Sequence, residues 1–167
     1  VDSLKSYKVS NGAAVVADPK TGEILAMVGS RDYFDRDHEG NFNVATSNNR
    51  QPGSSLKPIM YASAFEKGYT PATLVMDTKT EFPTGESAHP MFNPVNYDGK
   101  YNGPMQLRFA LGNSENIPAV KMLARVGIDN VLKKGFEMGI ENWEPTEKNK
   151  AGVGLSLVLG GRETSLL

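Results

Sequence analysis

Glycine and proline set the grain of this chain. Most of the seventeen glycines and ten prolines fall between the apolar segments or at their edges. Gly12, Gly22 and Gly29 bracket two apolar runs, Pro52-Gly53 and Gly68 bracket a third, and Pro118, Gly127 and Gly139 mark two more. Proline is tolerated in a first helical turn and glycine favours helix ends and turns, so this placement dictates many short elements. It excludes a coiled coil, a collagen-like chain and a membrane-spanning helix, because no apolar run nears the roughly 18 residues a span needs. At 167 residues the chain is long enough for one domain with a real core. With 39% hydrophobic and 22% charged residues, it is not compositionally disordered.

Charge and cysteine remove further classes. Eighteen basic residues face nineteen acidic ones, so no basic field exists to attract nucleic acid. Cysteine is absent, which excludes disulfides, zinc–thiolate sites and a cysteine nucleophile. No signal peptide is expected at Val1.

The first elements form a hairpin. Residues 12–17 and 23–28 are short apolar runs joined by Asp18-Pro19-Lys20-Thr21-Gly22, in which Pro presets φ and Gly tolerates a positive φ. Both runs are apolar at nearly every position, which predicts a sheet covered on both faces. Residues 31–50 are polar and predict an irregular segment. Residues 55–67 predict a helix with Leu56, Ile59, Met60, Ser63 and Ala64 on one stripe, Ser54 as its N-cap and Gly68 at its stop. Residues 77–103 are broken by Pro83, Pro90 and Pro94 and predict a loop with short strands. Helices are expected over 106–111, over 117–126, and from Asp129 as cap to about Met138. Residues 141–150 read as a charged loop, 152–159 as an apolar, glycine-punctuated run, and 162–167 as the start of a further element.

Two sites carry possible chemistry. Ser54-Ser55-Leu56-Lys57 puts a hydroxyl and an amine one helical turn apart on one face. A hydroxyl needs an adjacent base to become a nucleophile. A lysine whose pKa is lowered by burial and by neighbouring cations can be that base. The N–H of Ser54 is then a candidate oxyanion donor. The plainer alternative for Ser54 is an N-cap. The second site is Ser114-Glu115-Asn116, in a polar break between two helices. Its hydroxyl can relay a proton and its amide can both donate and accept, with a cap for the following helix as the alternative.

Other clusters are weaker. His38 and His89 lie far apart, and Asp32, Asp35, Asp37 and Glu39 around His38 read as a solvated loop. Trp143 with Phe136 and Ile140 reads as local packing. The glycines of 152–161 lack the Lys-Ser/Thr ending of a phosphate-binding loop. Tyr97 and Tyr101 are candidate cleft residues, with a packed loop as the equal alternative.

The two motifs, in this order, resemble the transpeptidase domain of penicillin-binding proteins. Gln51-Pro52-Gly53-Ser54-Ser55-Leu56-Lys57-Pro58 is similar to the nucleophile motif, SxxK, and Ser114-Glu115-Asn116-Ile117-Pro118-Ala119-Val120 to the SxN motif. The stretch from Ala17 through Asp18-Pro19 to Gly29 resembles the family's opening hairpin. Asn96-Tyr97-Asp98-Gly99-Lys100-Tyr101-Asn102-Gly103-Pro104 resembles a stretch of the bifunctional, class A members, and Leu159-Gly160-Gly161 is also family-like.

The resemblance implies an α/β fold of the α+β type, an antiparallel sheet packed against a helical region. It is penicillin-binding-protein and β-lactamase-like, and incomplete in this chain. It implies serine D,D-transpeptidase chemistry on peptidoglycan. Ser54 would be the nucleophile and Lys57 its base. Ser114 would relay a proton to the leaving amine. Asn116 would hydrogen-bond the substrate backbone and help hold Lys57, with Tyr97 contributing to substrate binding. The partners implied are a peptidoglycan stem peptide and β-lactam antibiotics, with no cofactor, no metal and no nucleic acid.

The family's third motif, KTG, follows SxN on a strand. Here Lys20-Thr21-Gly22 precedes Ser54 and falls in the hairpin turn, so it reads as a turn and not as that motif. Residues 1–167 are therefore expected to be the N-terminal portion of one transpeptidase domain, inactive alone. A companion polypeptide would carry the remainder. Apolar surface around 12–28 and 152–159 should then await that partner. The implied location is the bacterial cell envelope, at the outer face of the cytoplasmic membrane, with any anchor in a segment outside this chain. A serine β-lactamase or β-lactam sensor shares the first two motifs, and a non-catalytic peptide-binding module is the more distant alternative.

Overall fold

The computed structural model describes residues 2–85 and 87–167. It divides into two units, one running through Arg50 and including Glu163–Leu167, the other Gln51–Arg162.

The first unit opens with a 3-10 turn, Asp2–Tyr7, followed by the antiparallel strands β1 (Ala14–Ala17) and β2 (Ile24–Val28). Ala14 faces Val28 and Val16 faces Ala26, with a register shift before Ala17 pairs with Ile24. The turn closes as its chemistry predicts. The Asp18 N–H donates to Glu23 O at 2.8 Å, and the Gly22 N–H to Asp18 O at 2.8 Å. Asp18 Oδ1 accepts from the Lys20 N–H at 2.7 Å, and Gly22 takes φ +75°. Lys20-Thr21-Gly22 is thus a hairpin turn.

The expectation that this sheet is covered on both faces is corrected. Leu25 is 61% exposed, and Val16 and Val28 52% each. The sheet has two strands only, and such a ribbon cannot shield its own faces. The exposed apolar surface expected around 12–28 is present. Residues 31–50 are irregular apart from a 3-10 turn, Val44–Thr46, capped by Asn43 Oδ1 accepting from the Ala45 N–H at 3.0 Å. The 162–167 segment yields one bridge, Thr164 N–H to Arg50 O at 2.9 Å.

In the second unit a 3-10 turn, Gly53–Leu56, runs into α1 (Lys57–Glu66). The predicted stripe is buried, and Tyr61 joins it. Ser63 tolerates burial because its hydroxyl donates to Ile59 O at 3.2 Å. A strand then forms where none was expected, β3 (Leu74–Asp77). Two-residue strands β4 (Phe82–Pro83) and β5 (Met91–Phe92) pair within the proline-broken stretch. Next, β6 (Gly103–Gln106) pairs antiparallel with β3, Leu74 opposite Gln106 and Asp77 opposite Gly103. Four residues carry too little periodicity to declare β3, whose partner lies a long loop away.

Three helices complete the scaffold: α2 (Leu107–Gly112), α3 (Asn116–Val126) and α4 (Ile128–Glu137). Asp129 does not cap α4 as expected. Gly127, at φ +90°, holds that position and Asp129 falls in the first turn. The expected charged loop instead contains a 3-10 turn, Glu141–Trp143, and a short helix, α5 (Glu147–Lys150). Thr146 Oγ1 caps α5 by accepting from the Asn149 N–H at 3.2 Å.

The core gathers α1, α3 and α4 around Met60, Val120, Leu123 and Leu132, with Trp143 fully buried at its edge. A Cβ on Gly135 would lie 2.1 Å from the Trp143 ring, so that position admits glycine alone. The 152–159 segment is a second correction. Leu157 and Val158 in the 3-10 turn Leu155–Leu159 are 1% exposed, packed into this core instead of awaiting a partner.

Candidate active site

Ser54 sits in the 3-10 turn that Gly53 opens at φ +59°, a backbone conformation glycine adopts without cost. The first bond within the turn runs from the Ser55 N–H to Pro52 O at 3.4 Å, so the N–H of Ser54 has no acceptor inside it. The expected N-cap role is not taken up. Pro52 holds that position for the turn and Leu56 for α1, neither with a side-chain cap. The Ser55 hydroxyl donates to Pro52 O at 2.7 Å. Ser54 is exposed, and its own hydroxyl has no hydrogen-bond partner among the described residues.

Lys57 is the first residue of α1 and is fully buried. Its Nζ donates to Ser114 O at 2.5 Å, to Ser114 Oγ at 3.1 Å and to Asn116 Oδ1 at 2.8 Å. An ammonium has three donors, and all three are taken by one loop. Burial pushes its pKa down from 10.5 to about 8, with the nearby Glu115 carboxylate opposing. The cause is desolvation without a neighbouring cation, unlike the mixture expected from the sequence. At a pKa of about 8, roughly one lysine in ten is neutral at pH 7, against fewer than one in a thousand at the ordinary value.

The Ser114–Asn116 loop joins α2 to α3. Ser114 adopts φ +56°, a left-handed conformation costing a non-glycine residue about 1–2 kcal/mol. The N–H groups of Ser114 and Glu115 donate to Leu111 O and Ala110 O, both at 2.9 Å. This turn lets the carbonyl and the hydroxyl of Ser114 both meet Lys57. The Glu115 pKa is raised, first by burial and then by Asp77 and Asp98, with Lys57 opposing.

Strain and chemistry at Ser114 are separable. Ser114→Gly keeps the carbonyl bond to Lys57 and removes the φ penalty, whereas Ser114→Ala keeps the penalty. Both lose the hydroxyl. Ser114→Gly should be the more stable by about 1 kcal/mol in denaturant titrations. Equal stability of the two variants would exclude strain at this residue.

Ser114 does not cap α3, contrary to one reading of the sequence; Glu115 holds that position without a side-chain bond. The leading N–H groups of α3 are met from elsewhere. Asn96 Oδ1 accepts from the N–H of Asn116 at 2.9 Å and of Ile117 at 3.2 Å. Asn96 Nδ2 donates to Asp77 Oδ1 at 2.8 Å, Asp77 Oδ2 at 2.9 Å and Lys100 O at 2.9 Å. Asp77 Oδ2 also accepts from the N–H and the Nδ2 of Asn102, both at 2.8 Å. Asn116 Nδ2 donates to Val95 O at 2.8 Å.

The structure thus joins Lys57, Ser114 and Asn116 in one hydrogen-bonded cluster, with Ser54 one turn before Lys57. The Tyr97 ring is fully exposed and bonded to none of them, while its neighbour Asn96 is 3% exposed and turned inward. Asp77, Asn96 and Asn102 were not singled out from the sequence. Asn96 and Asn102 lie in the family-like stretch 96–104, but no spacing rule links residues 77, 96 and 116. Among the described residues, no three His, Cys, Asp or Glu converge to hold a metal. In the acidic run, Asp35 Oδ2 takes Arg31 at 3.1 Å and His38 at 3.0 Å. No helix of the described residues is long and apolar enough to cross a membrane.

Comparison with known proteins identifies the family. The profile of the penicillin binding protein transpeptidase domain matches residues 12–156. Penicillin-binding protein 1A of Neisseria flavescens is 37% identical over 156 residues, covering 93% of this chain and 18% of the relative. Penicillin-binding protein 2D of Bacillus subtilis is 40% identical over 124 residues, 74% of this chain and 17% of the relative. The chain therefore spans less than a fifth of these relatives. The crystal structure of penicillin-binding protein 1A from Haemophilus influenzae superposes with a TM-score of 0.78 at 32% identity, over 93% of this chain and 21% of that one. The helices and small antiparallel sheets are accordingly those of an incomplete α/β fold of this kind, and the chain belongs to the penicillin-binding protein transpeptidase domain family.

Proposed function

We propose that this chain carries the nucleophile of a serine D,D-transpeptidase that cross-links peptidoglycan stem peptides. The carrying observation is the buried Lys57, held by Ser114 and Asn116 one turn beyond an unbonded, exposed Ser54 hydroxyl. In the reactive state Lys57 is neutral. It takes the Ser54 Oγ proton as the oxygen attacks the penultimate D-Ala carbonyl. The Ser54 N–H faces the oxyanion that forms. As the C–N bond breaks, the Lys57 proton passes through the Ser114 hydroxyl to the departing D-Ala amine. Asn116 holds Lys57 and meets the substrate backbone, and Tyr97 lines the approach. The amine of a second stem peptide then attacks the acyl-enzyme, forming the cross-link and freeing Ser54. A β-lactam acylates the same oxygen by opening its ring C–N bond.

The KTG strand, with a second oxyanion donor, would come from sequence outside these residues, since no Lys-Ser/Thr-Gly follows Asn116. On this reading residues 1–167 form the N-terminal portion of the domain, inactive until joined by a companion segment. The whole protein would work at the outer face of the cytoplasmic membrane.

The test is intact mass and peptide mapping of the whole protein after exposure to penicillin. A persistent adduct on the Ser54 peptide is expected. Rapid hydrolysis of the drug would instead indicate a β-lactamase, and absence of any adduct at Ser54 would remove the enzyme reading.

A further inference from the structure

We propose that Asp77 and Asn96 are positioning residues that set the polarity of the Ser114–Asn116 loop against Lys57, an inference that rests on the reading above. Each amide in this cluster presents a defined end to each partner. A carboxylate only accepts, so the amide nitrogen of Asn96 must face Asp77, as it does at 2.8 and 2.9 Å. The Asn96 carbonyl oxygen is thereby turned to the opening of α3. There it accepts from the Asn116 and Ile117 N–H groups, at 2.9 and 3.2 Å. Those groups have no side-chain cap of their own.

Asn116 repeats the pattern. Its backbone N–H is tied to Asn96, and its side-chain nitrogen donates to Val95 O at 2.8 Å. Its Oδ1 is thereby left to face Lys57, at 2.8 Å. The adjacent residues Val95 and Asn96 thus set both the backbone and the amide orientation of Asn116. The starting point is secure. Asp77 is fully buried at the end of β3 and also takes two bonds from Asn102. Farther along α3, Lys121 Nζ donates to Met76 O at 2.7 Å and to Thr78 Oγ1 at 3.1 Å, tying the helix to the strand that carries Asp77.

This chain of donors and acceptors does more than support the fold. An amide has near-equal shapes in its two orientations, so packing alone does not choose between them. Without the Asp77 carboxylate, Asn96 is free to turn its nitrogen toward the α3 N–H groups. The helix start would then shift, and with it the oxygen that Lys57 uses. Misplacing a reacting group by about 1 Å can cost about a hundredfold in rate.

The experiment measures penicillin acylation in the whole protein together with the Lys57 pKa, followed by NMR of ¹³Cε-labelled lysine. Asn96→Ala and Asp77→Asn should each slow acylation by about 10- to 100-fold. Asn96→Ala changes no charge near Lys57. It should nevertheless move the Lys57 pKa below its present value, because an acceptor for the ammonium is lost while burial remains. Glu115, the charged group acting on Lys57, is retained in that variant.

The exchange Asp77→Asn/Asn96→Asp restores the polarity between residue 77 and the start of α3, at the loss of the donor to Lys100 O. Asn at 77 donates, and Asp at 96 accepts from α3. The exchange should recover at least tenfold of the rate lost in Asp77→Asn. Acylation within twofold of wild type in Asn96→Ala, with an unmoved Lys57 pKa, would overturn the proposal. So would an exchange variant that folds by circular dichroism yet recovers nothing. If the exchange variant does not fold, the two single variants still decide. If wild type takes no adduct at Ser54, the transpeptidase reading falls, and the Lys57 pKa in Asn96→Ala then decides the positioning claim alone.

Discussion

Lys57→Met in the whole protein should remain folded and lose penicillin acylation by about 10²- to 10⁴-fold, the range for a positioned general base. Methionine has nearly the length of lysine and can fill the space its buried side chain occupies. The change does two opposing things to stability. It leaves Ser114 O, Ser114 Oγ and Asn116 Oδ1 without their shared donor, at about 1–3 kcal/mol for a buried unsatisfied group. It also removes the desolvation of a buried amine, the dominant cause of the lowered Lys57 pKa. Loss of activity should therefore far exceed any shift in melting temperature.

The pH profile follows from the same group. The base form is the neutral amine. Wild-type acylation should rise with pH, pass its midpoint near the Lys57 pKa of about 8 and level off above it. The variant should lack that limb. Acylation within tenfold of wild type, or an unchanged rising limb in Lys57→Met, would show that another group takes the proton.

Gly160→Ala should be the most damaging single-methyl change near the nucleophile. Gly160 sits at φ +87°, where an alanine pays about 1–2 kcal/mol. Its Cβ would also fall 2.3 Å from the nitrogen and 2.4 Å from the Cα of Gly53, the residue before Ser54. Those are backbone atoms, which cannot rotate away as a side chain does. Overpacking adds about 1–3 kcal/mol, and relief requires moving the turn that presents the Ser54 hydroxyl. Gly53→Ala is the natural comparison. Gly53 also has a positive φ, +59°, but its Cβ would meet nothing within 4 Å, so it should lose only the backbone contribution. Denaturant titration should rank Gly160→Ala well below Gly53→Ala, and acylation should fall with it. Equal stability with unchanged acylation would remove any role for this contact in holding the nucleophile turn.

Turns, stripes and helix stops follow the sequence closely. The Asp18–Gly22 turn, the α1 stripe with its stop at Gly68, and α3 with Pro118 and Gly127 at its ends depend on residues a few positions apart. The same holds for the one-turn spacing of Ser54 and Lys57. Reading of caps was less successful. Ser54, Ser114 and Asp129 all had the right chemistry, yet the positions went to Pro52, Glu115 and Gly127. In each case the backbone path set by the surrounding packing took precedence over the side chain's preference.

Burial divides along the same line. Residues 12–28 and 152–159 look alike as apolar, glycine-edged runs. The first is left exposed as a two-stranded ribbon, whereas Leu157 and Val158 of the second enter the core beside α3. Periodicity states that a segment is apolar, not what will lie against it. Nor could it choose between Asn96 and Tyr97, adjacent residues of which the smaller is buried at the heart of the network and the larger is fully exposed.

By itself, then, the sequence determined the short-element architecture and the one-turn spacing of Ser54 and Lys57, because turn chemistry and i to i+3 spacing act within a few bonds of backbone, and its motifs carried the resemblance to the family. Only the tertiary structure decided that Lys57 would be stripped of water and shared among three acceptors, that Asp77 and Asn96 would orient those acceptors, and that Gly160 would seat against Gly53. Each of these joins residues about 20 to 100 positions apart. Their meeting is set by how helices and strands close on a common core, which no local rule encodes.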